Sequence, residues 1–465
     1  MKDLKHLFIL VSILAIVSYI FFTITVNEKN IKSPHSSQKV LQDEHLKGPG
    51  DVKTGYEDSK YKTQSLSLEQ RKGVKANLVA IAKKPPLGLP PLKIPKTNPI
   101  TSEKIALGKK LFFDRRLSIN DTFSCAMCHI PEQGFTNNEM RTAVGVEGRS
   151  NLRNAPTIYN VAYYKLLFQD GREFTLENQI WQPILNHTEM AAPSIGYIIN
   201  KIRRIPGYDG LFESAFGAGP TVENIGQALA SYERTLLAAN SPFDRWYFGK
   251  EEQATTESVK KGFMLFMGKA NCSSCHTVNS DYALFTDNLL HNTGIGYKVS
   301  MGDIYIGKEM KPLSSSDTKQ KKKVQLAPGV FVNVDKSIID SVSQQKLPND
   351  LGLYSITENP NDRWKFRTPS LRNVELTAPY MHNGIFSTLE EVIDFYNQGG
   401  IENELLSPLL RALELKEDEK EDLLAFLVSL TGGNVPALVA DAFTAPIGDI
   451  GLSDPNWANE NTLGY

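Results

Sequence analysis

The sequence predicts a mainly α protein: two similar helical domains in tandem, behind an N-terminal apolar segment and a polar tether. Three observations predict it. Apolar residues recur at helical spacing through most of the chain, while strand-like alternation is scarce. Two stretches far apart follow one plan, a capped helix with a Gly-x-x-Leu-Phe string and then a Cys-x-x-Cys-His string. A single uncharged apolar run stands near the start.

The bulk numbers agree with this architecture. The chain has 465 residues, 41% hydrophobic and 22% charged, enough for two or three domains with ordinary cores. Its net charge of −1 supplies no basic field, so no nucleic-acid partner is expected.

Taken in order, Lys2 and Lys5 precede the apolar run Leu7–Val26. Its length suits a membrane span of about 20 residues better than a signal-peptide core of roughly 7–15. No A-x-A-like cleavage site closes the run and no lipobox cysteine follows it. Positive charge on the short leading end predicts that end inside and the body outside. Residues 1–26 are therefore expected to be a retained signal anchor, with a cleaved signal as the alternative. Either way the body lies outside the cytoplasm. Residues 27–75 are polar and read as a flexible tether. Pro85-Pro86-Leu87-Gly88-Leu89-Pro90-Pro91 reads as a stiff extended strap.

The body divides at 76–245 and 246–435, with a tail over 436–465. Thr101–Phe113 is expected to be the first helix, carrying Gly108-x-x-Leu111-Phe112. Thr255–Met267 repeats it with Gly262-x-x-Leu265-Phe266, and Val259, Phe263 and Phe266 form one apolar face. Candidate last helices are Val222–Ala238, capped by Thr221, and Glu417–Leu430, stopped by Gly432-Gly433. A glycine one turn ahead of an aromatic lets another helix cross closely. The first and last helices of a cytochrome c fold pack in this way. Segment 297–350 is polar and includes Lys321-Lys322-Lys323, either a solvated loop or a docking patch for an acidic partner.

Only four cysteines occur, in Cys125-Ala126-Met127-Cys128-His129 and Cys272-Ser273-Ser274-Cys275-His276. Cys-x-x-Cys-His is the attachment signature of c-type haem. The two thiols add across the haem vinyl groups, and the adjacent histidine reaches the iron. The alternatives are a four-cysteine zinc site and redox disulfides. Zinc pairs are usually separated by about 15–20 residues, whereas well over a hundred intervene here. Neither alternative needs His129 and His276. Two haem c groups, each in a cytochrome c-type domain, follow.

Function then depends on the second face of each iron. A strong sixth ligand makes an electron-transfer haem, and an open face admits peroxide. No histidine lies between His129 and His187, so the first haem is the candidate for an open face. Downstream come Asp170-Gly171-Arg172, Gln179 and Glu189-Met190. A carboxylate beside bound peroxide can move a proton from the inner to the outer oxygen, and a nearby amide can hold the outer oxygen. Glu189 and Gln179 are candidates for these roles, with ordinary surface residues as the alternative.

The body from about Pro85 to Gly433 resembles the bacterial dihaem cytochrome c peroxidase/MauG family. The strings that carry the likeness are Leu111-Phe112-Phe113-Asp114-Arg115-Arg116-Leu117-Ser118, Arg153-Asn154-Ala155-Pro156-Thr157, Asp170-Gly171-Arg172, Phe366-Arg367-Thr368-Pro369-Ser370-Leu371-Arg372-Asn373-Val374 and Thr377-Ala378-Pro379-Tyr380-Met381-His382-Asn383-Gly384. The resemblance implies a peroxidatic first haem, an electron-transfer second haem and Ca²⁺ between the domains. Glu189 matches the family's catalytic glutamate and Gln179 its distal glutamine. Asn154, Thr377 and Pro379 match its calcium ligands, and oxygen donors suit hard Ca²⁺.

Two comparisons bear on subtype. Where family peroxidases place a methionine on the second iron, this chain has Tyr396, as MauG-type members do; a buried core tyrosine and Met381 as ligand are the alternatives. Where reductively activated peroxidases carry a displaceable histidine, around Gly145, this chain has none. Both departures lean toward the MauG-like branch, and the strap and the tail also resemble an MbnH-like subgroup. The family's inter-haem tryptophan falls at Gln169. Trp181 is either its substitute or a packing residue, and His187 either tunes the pocket or faces solvent.

The expected activity is H₂O₂-dependent oxidation. The expected reductant is a small periplasmic cytochrome c or copper protein, or a Trp/Tyr side chain on a partner protein. A non-catalytic dihaem electron-transfer cytochrome is the alternative of another class. The expected location is the periplasmic face of the inner membrane, or the soluble periplasm if the signal is cleaved.

Overall fold

The computed structural model describes residues 73–301, 321–327, 330–335 and 349–445. The expected anchor Leu7–Val26 and almost all of the tether lie outside the described residues. Among the described residues, no helix is long and apolar enough to cross a membrane.

The helices that position the sites are α1 (Ser102–Phe113), α2 (Leu176–Gln179), α3 (Trp181–Leu185), α4 (Val222–Arg234), α5 (Pro242–Tyr247), α6 (Glu257–Met267), α7 (Leu389–Asn397), α8 (Glu417–Val428) and α9 (Val435–Ala442). The strands are short: β1 (Leu290–His291), β2 (Lys321–Ala327), β3 (Val330–Asp335) and β4 (Phe366–Arg367). β1 pairs antiparallel with β4, and β2 with β3.

The duplication expected from the two Gly-x-x-Leu-Phe strings is present in space. α1 crosses α4 with Gly108 against the Ala228 carbonyl, and α6 crosses α8 with Gly262 against the Asp422 carbonyl. A Cβ at either glycine would run into that backbone oxygen, so the crossing distance depends on the missing side chain. One turn later the aromatics meet. Phe112 packs edge-on to Tyr232 at 5.5 Å, and Phe266 against Phe426 at 4.9 Å. Two main cores result among the described residues, beside two smaller clusters. Leu111, Phe112, Phe135, Ile225 and Leu229 belong to the first, and Val259, Phe263, Phe266, Phe285 and Phe426 to the second.

Several boundaries differ from the sequence reading. α4 stops at Arg234 rather than Ala238, because the following backbone pairs elsewhere. Ala238 exchanges hydrogen bonds with the Asn160 side chain (2.8 and 2.9 Å), and Ala239 N–H donates to Asn434 Oδ1 (2.9 Å). α6 starts two residues late, under a Thr256 cap, and α8 ends at Val428. The supposed tail carries α9, whose Leu438 and Ala442 join the first core, while Lys109 Nζ pairs with Asp441 at 2.7 Å. Residues 435–445 thus return to the first half. Lys321–Lys323 lie on β2 opposite Asn333–Asp335, not in a loop.

The strap ties the halves together. Gly88 offers its carbonyl to Ala283 N–H and to Arg372. Arg372 and Asp244 form a bidentate pair at 2.9 Å, with both side chains 0% exposed. A buried pair of this kind is costly to break from one side, because the remaining charge has no partner. Asp244→Ala should therefore lower the stability of the holoprotein by about 3–5 kcal/mol in denaturant unfolding. A midpoint equal to that of the parent would mean the guanidinium finds another counter-charge.

Candidate active site

Each Cys-x-x-Cys-His string forms a single 3₁₀ turn at the foot of its first helix, over Cys125–Met127 and Cys272–Ser274. The histidine N–H of each string donates to the carbonyl of its first cysteine at 2.9 Å. All four thiols are free and half-buried. Burial pushes the Cys128 and Cys272 thiols up to about 12.

Both imidazoles are oriented in the same way. His129 Nδ1 faces the Phe135 carbonyl at 3.1 Å, and His276 Nδ1 faces that of Phe285 at 2.8 Å. With Nδ1–H donated to a carbonyl, Nε2 is left to bind a metal. Burial lowers the pKa of both rings, which keeps them neutral and available as ligands. Phe135 and Phe285 turn their carbonyls inward from a left-handed backbone, φ 51° and 52°.

The clamp behind each histidine is duplicated too. Thr136 Oγ1 donates to the carbonyl of Ala155, before Pro156, and Thr286 Oγ1 to that of Thr368, before Pro369. Thr157 Oγ1 donates to Gly134 O (2.6 Å), and Ser370 Oγ to Leu284 O (2.8 Å). The sequence reading missed this second repeat, although Phe-Thr followed downstream by Pro-Thr or Pro-Ser was visible in both halves. Two thiols and a neutral, oriented imidazole in each half form a donor set that fits a c-type haem.

Glu189 lies near the first string. Its carboxylate adds to the upward shift of the Cys125 and Cys128 thiols, after burial, which is the larger cause. Burial raises the pKa of Glu189 itself, opposed by a hydrogen bond from Asn186 and the charge of Arg172. Asn186 Nδ2 donates to Glu189 Oε1 at 2.7 Å. The loop is pinned by Val146 N–H on the Glu189 carbonyl (2.8 Å) and by Gly145, whose backbone lies flat against Thr188 and Glu189. A side chain at 145 would displace that backbone, so the glycine seats the glutamate.

Gln179 ends α2, half-buried, just ahead of α3 on the path to Glu189. Trp181 is buried in the first core, which agrees with the packing alternative. His187 is exposed, its carbonyl accepting from Arg149 at 2.9 Å. In the second half, Tyr396 is on α7. Its phenol is pushed up first by burial and then by the charge of Cys275 and Cys272, which places it beside the second string.

The seam between the halves is densely polar. Arg172 binds Asp170, Asp170 binds Arg153, and Arg153 holds Asp350 of the second half at 2.6 and 2.8 Å. Gln169 Nε2 donates to Asn154 O, and Arg367 N–H to Gln169 O. Asn154 N–H donates to His382 O at 2.9 Å, and Arg141 Nε to Asn383 O at 2.9 Å. The His382 ring stacks on Phe366 at 3.6 Å, and burial lowers its pKa to about 3. Both side-chain polar atoms of Asn383 are buried without a hydrogen-bond partner. Asn154 thus meets the second half just after Thr377 and Pro379. The Asn154 side chain donates Nδ2 to Arg141 O at 3.1 Å, and Thr377 Oγ1 donates to Val374 O at 3.0 Å.

One cluster escaped the sequence reading. Ligand atoms of Cys275, Asp287 and His291 lie within 4.8 Å of one another, and His291 Nε2 pairs with Asp287 at 2.8 Å. Cys275 belongs to the haem string, so the trio reads as a His–Asp pair beside the second haem site. Asp287 and His291 are four residues apart, and His291 lies on β1, which pairs with β4.

Two cytochrome c-type helix pairs, each closing on an oriented Cys-x-x-Cys-His turn, define a dihaem c-type protein. Comparison with known proteins places it further. Residues 102–252 match the family model for di-haem cytochrome c peroxidase. The chain is 38% identical over 355 residues to cytochrome-c peroxidase IdrP1 of Pseudomonas sp. (strain SCT), covering 75% of this chain and 86% of that protein. It is 36% identical over 340 residues to methylamine utilization protein MauG of Methylorubrum extorquens, covering 72% and 80%. Among solved structures it resembles a MauG-like protein associated with microbial copper homeostasis, with TM-score 0.59, 30% identity and coverage of 80% and 98%. The chain belongs to the di-haem cytochrome c peroxidase/MauG family. It is a peroxide-acting oxidoreductase that carries two c-type haems.

Proposed function

We propose that peroxide reacts at the first haem site, with Glu189 as the proton-transferring group and Gln179 as the amide beside it. At the second site Cys272, Cys275 and His276 would hold a haem with Tyr396 beside it, and that group would supply a store for the oxidising equivalents. The observation that carries this reading is Glu189, a half-buried carboxyl close to Cys125 and Cys128 with its proton affinity raised by burial. When bound, a haem held by Cys125, Cys128 and His129 supplies the iron that reduces peroxide. Glu189 takes a proton at its carboxylate from one peroxide oxygen and returns it to the other. A raised proton affinity suits a group that must do both. Asn186 and Arg172 keep the carboxyl from remaining permanently protonated. His129, with Nδ1 tied to Phe135, would leave Nε2 to hold the iron.

The final reductant is either a small cytochrome c or copper protein, or a Trp/Tyr side chain of a partner protein. Tyr396 beside Cys272 and Cys275 favours the second, because a phenolate suits an iron that retains oxidising power. A test is the ferric spectrum of the holoprotein, where one high-spin haem is expected. Two six-coordinate low-spin haems would support the electron-transfer cytochrome instead. A periplasmic protein that gains or loses mass only with this enzyme plus peroxide would identify the protein-modifying role.

Ca²⁺ is assigned to the seam, with Asn154, Thr377 and Pro379 as ligands. Removing it with a chelator should lower activity and alter the haem spectra, because the ion would hold one half against the other. A metal-free preparation with unchanged activity and spectra would remove the assignment. Leu7–Val26 is assigned as a retained anchor on the periplasmic face of the inner membrane. Salt-washed membranes should keep the protein, and a mature N-terminus beyond Val26 would show a cleaved signal and a soluble periplasmic enzyme.

A further inference from the structure

We infer that Asn186 is a positioning residue for the peroxide reaction: its side-chain N–H holds the Glu189 carboxyl ready to accept a proton. The inference rests on the proposed role of Glu189.

The orientation of the Asn186 amide is forced by the turn around it. Asn186 caps the end of α3, donating its N–H to Gln182 O at 2.8 Å. Its carbonyl accepts from Glu189 and Ala191 N–H, both at 2.9 Å. Its side-chain Oδ1 accepts from Thr188 N–H at 3.1 Å. With Oδ1 occupied by that donor, Nδ2 must face the other way, toward Glu189 Oε1 at 2.7 Å. The Thr188 hydroxyl also reaches Asn151 Oδ1, which ties the turn to the neighbouring loop. One residue thus shapes the turn with its oxygen and holds the glutamate with its nitrogen.

The charge balance gives this contact a direction. Burial favours the neutral acid at Glu189, whereas an N–H donor favours the carboxylate. Arg172 is the cation acting on it, itself held by Asp170 and Gln182. Cys125 and Cys128 face it too, but as thioethers they carry no charge once haem is attached. On its own loop His187 is exposed, and Arg149 is engaged by Glu147 and the His187 carbonyl. Without the Asn186 donor, Glu189 should hold its proton to higher pH. The carboxylate form begins the proton transfer, so the acid limb of the rate profile should move upward.

The test is the second-order rate of the ferric holoprotein with H₂O₂ as a function of pH. Asn186→Asp keeps the shape and the oxygen that accepts from Thr188, but replaces the N–H with a second carboxylate oxygen. Its acid limb should move up by about one to two pH units, roughly 10–100-fold slower on the acid side, and recover at high pH. Asn186→Ala should move the limb the same way by about one unit. Haem absorbance of each variant checks that both groups are attached. An unmoved limb, or a rate lowered equally at every pH, overturns the inference, since a merely structural asparagine would act that way. Glu189→Gln in the same assay separates the two readings. If the limb survives in Glu189→Gln, the role of Glu189 fails and this inference with it. A limb that vanishes there yet stays put in both Asn186 variants overturns only the role of Asn186.

Discussion

Glu189→Gln is expected to leave both haems attached while slowing the reaction with peroxide by about 10²–10⁴-fold, the range for a positioned acid–base group. Glutamine has the same shape, so the loop should be retained. Val146 N–H bonds the backbone carbonyl at 189, and Gly145 packs on the backbone, so neither depends on the side chain. Asn186 Nδ2 can still donate to a glutamine Oε1, which keeps the side chain in place. The loss is confined to the proton, because an amide does not take one up at these pH values. Stopped-flow mixing with H₂O₂, followed through haem absorbance, reads the rate directly. A variant as fast as the parent would remove Glu189 from the reaction.

Tyr396→Met is expected to raise the reduction potential of the second haem by a few hundred millivolts, within the roughly 0.8 V that axial ligands span. The direction is set by chemistry. A thioether favours ferrous iron, and methionine ligation raises haem potential. A phenolate favours the ferric form. Burial and the two nearby thiols disfavour ionisation of the Tyr396 phenol in the protein without iron, so only a bound cation would draw off the proton. The residue sits near the end of α7, where Gly399 and Gly400 follow at φ 87° and 81°, and its ring touches Phe395 at 5.1 Å. Methionine is of similar volume and flexible enough to fill this place. Spectroelectrochemical titration of both proteins gives the two potentials. Identical second-haem values would reduce Tyr396 to core packing and weaken the MauG-like reading.

The pattern of what was legible follows from the range of each interaction. The Cys-x-x-Cys-His strings were readable because attachment needs five consecutive residues and nothing distant. The helix crossings were readable because Gly108 and Gly262 precede their aromatics by one turn, a local spacing with a steric purpose. The end of α4 was misjudged by four residues, since Asn160 and Asn434 take the backbone that would have continued the helix. The return of α9 to the first core was equally hidden, because Lys109 and Asp441 are 332 residues apart.

By itself, the sequence determined the helical class, the presence of two c-type haems and the duplicated plan, and it marked the two Cys-x-x-Cys-His strings as the candidate haem sites, all written in short strings with their own chemistry. The tertiary structure alone decided which carbonyls orient His129 and His276, how Asn186 and Gly145 seat Glu189, and how Arg153 joins Asp170 to Asp350 across the seam. The partners range from three residues apart, as in Asn186 and Glu189, to 197 apart, as in Arg153 and Asp350. Their hydrogen bonds become defined only once two cores have formed and excluded the water that would otherwise take each donor and acceptor.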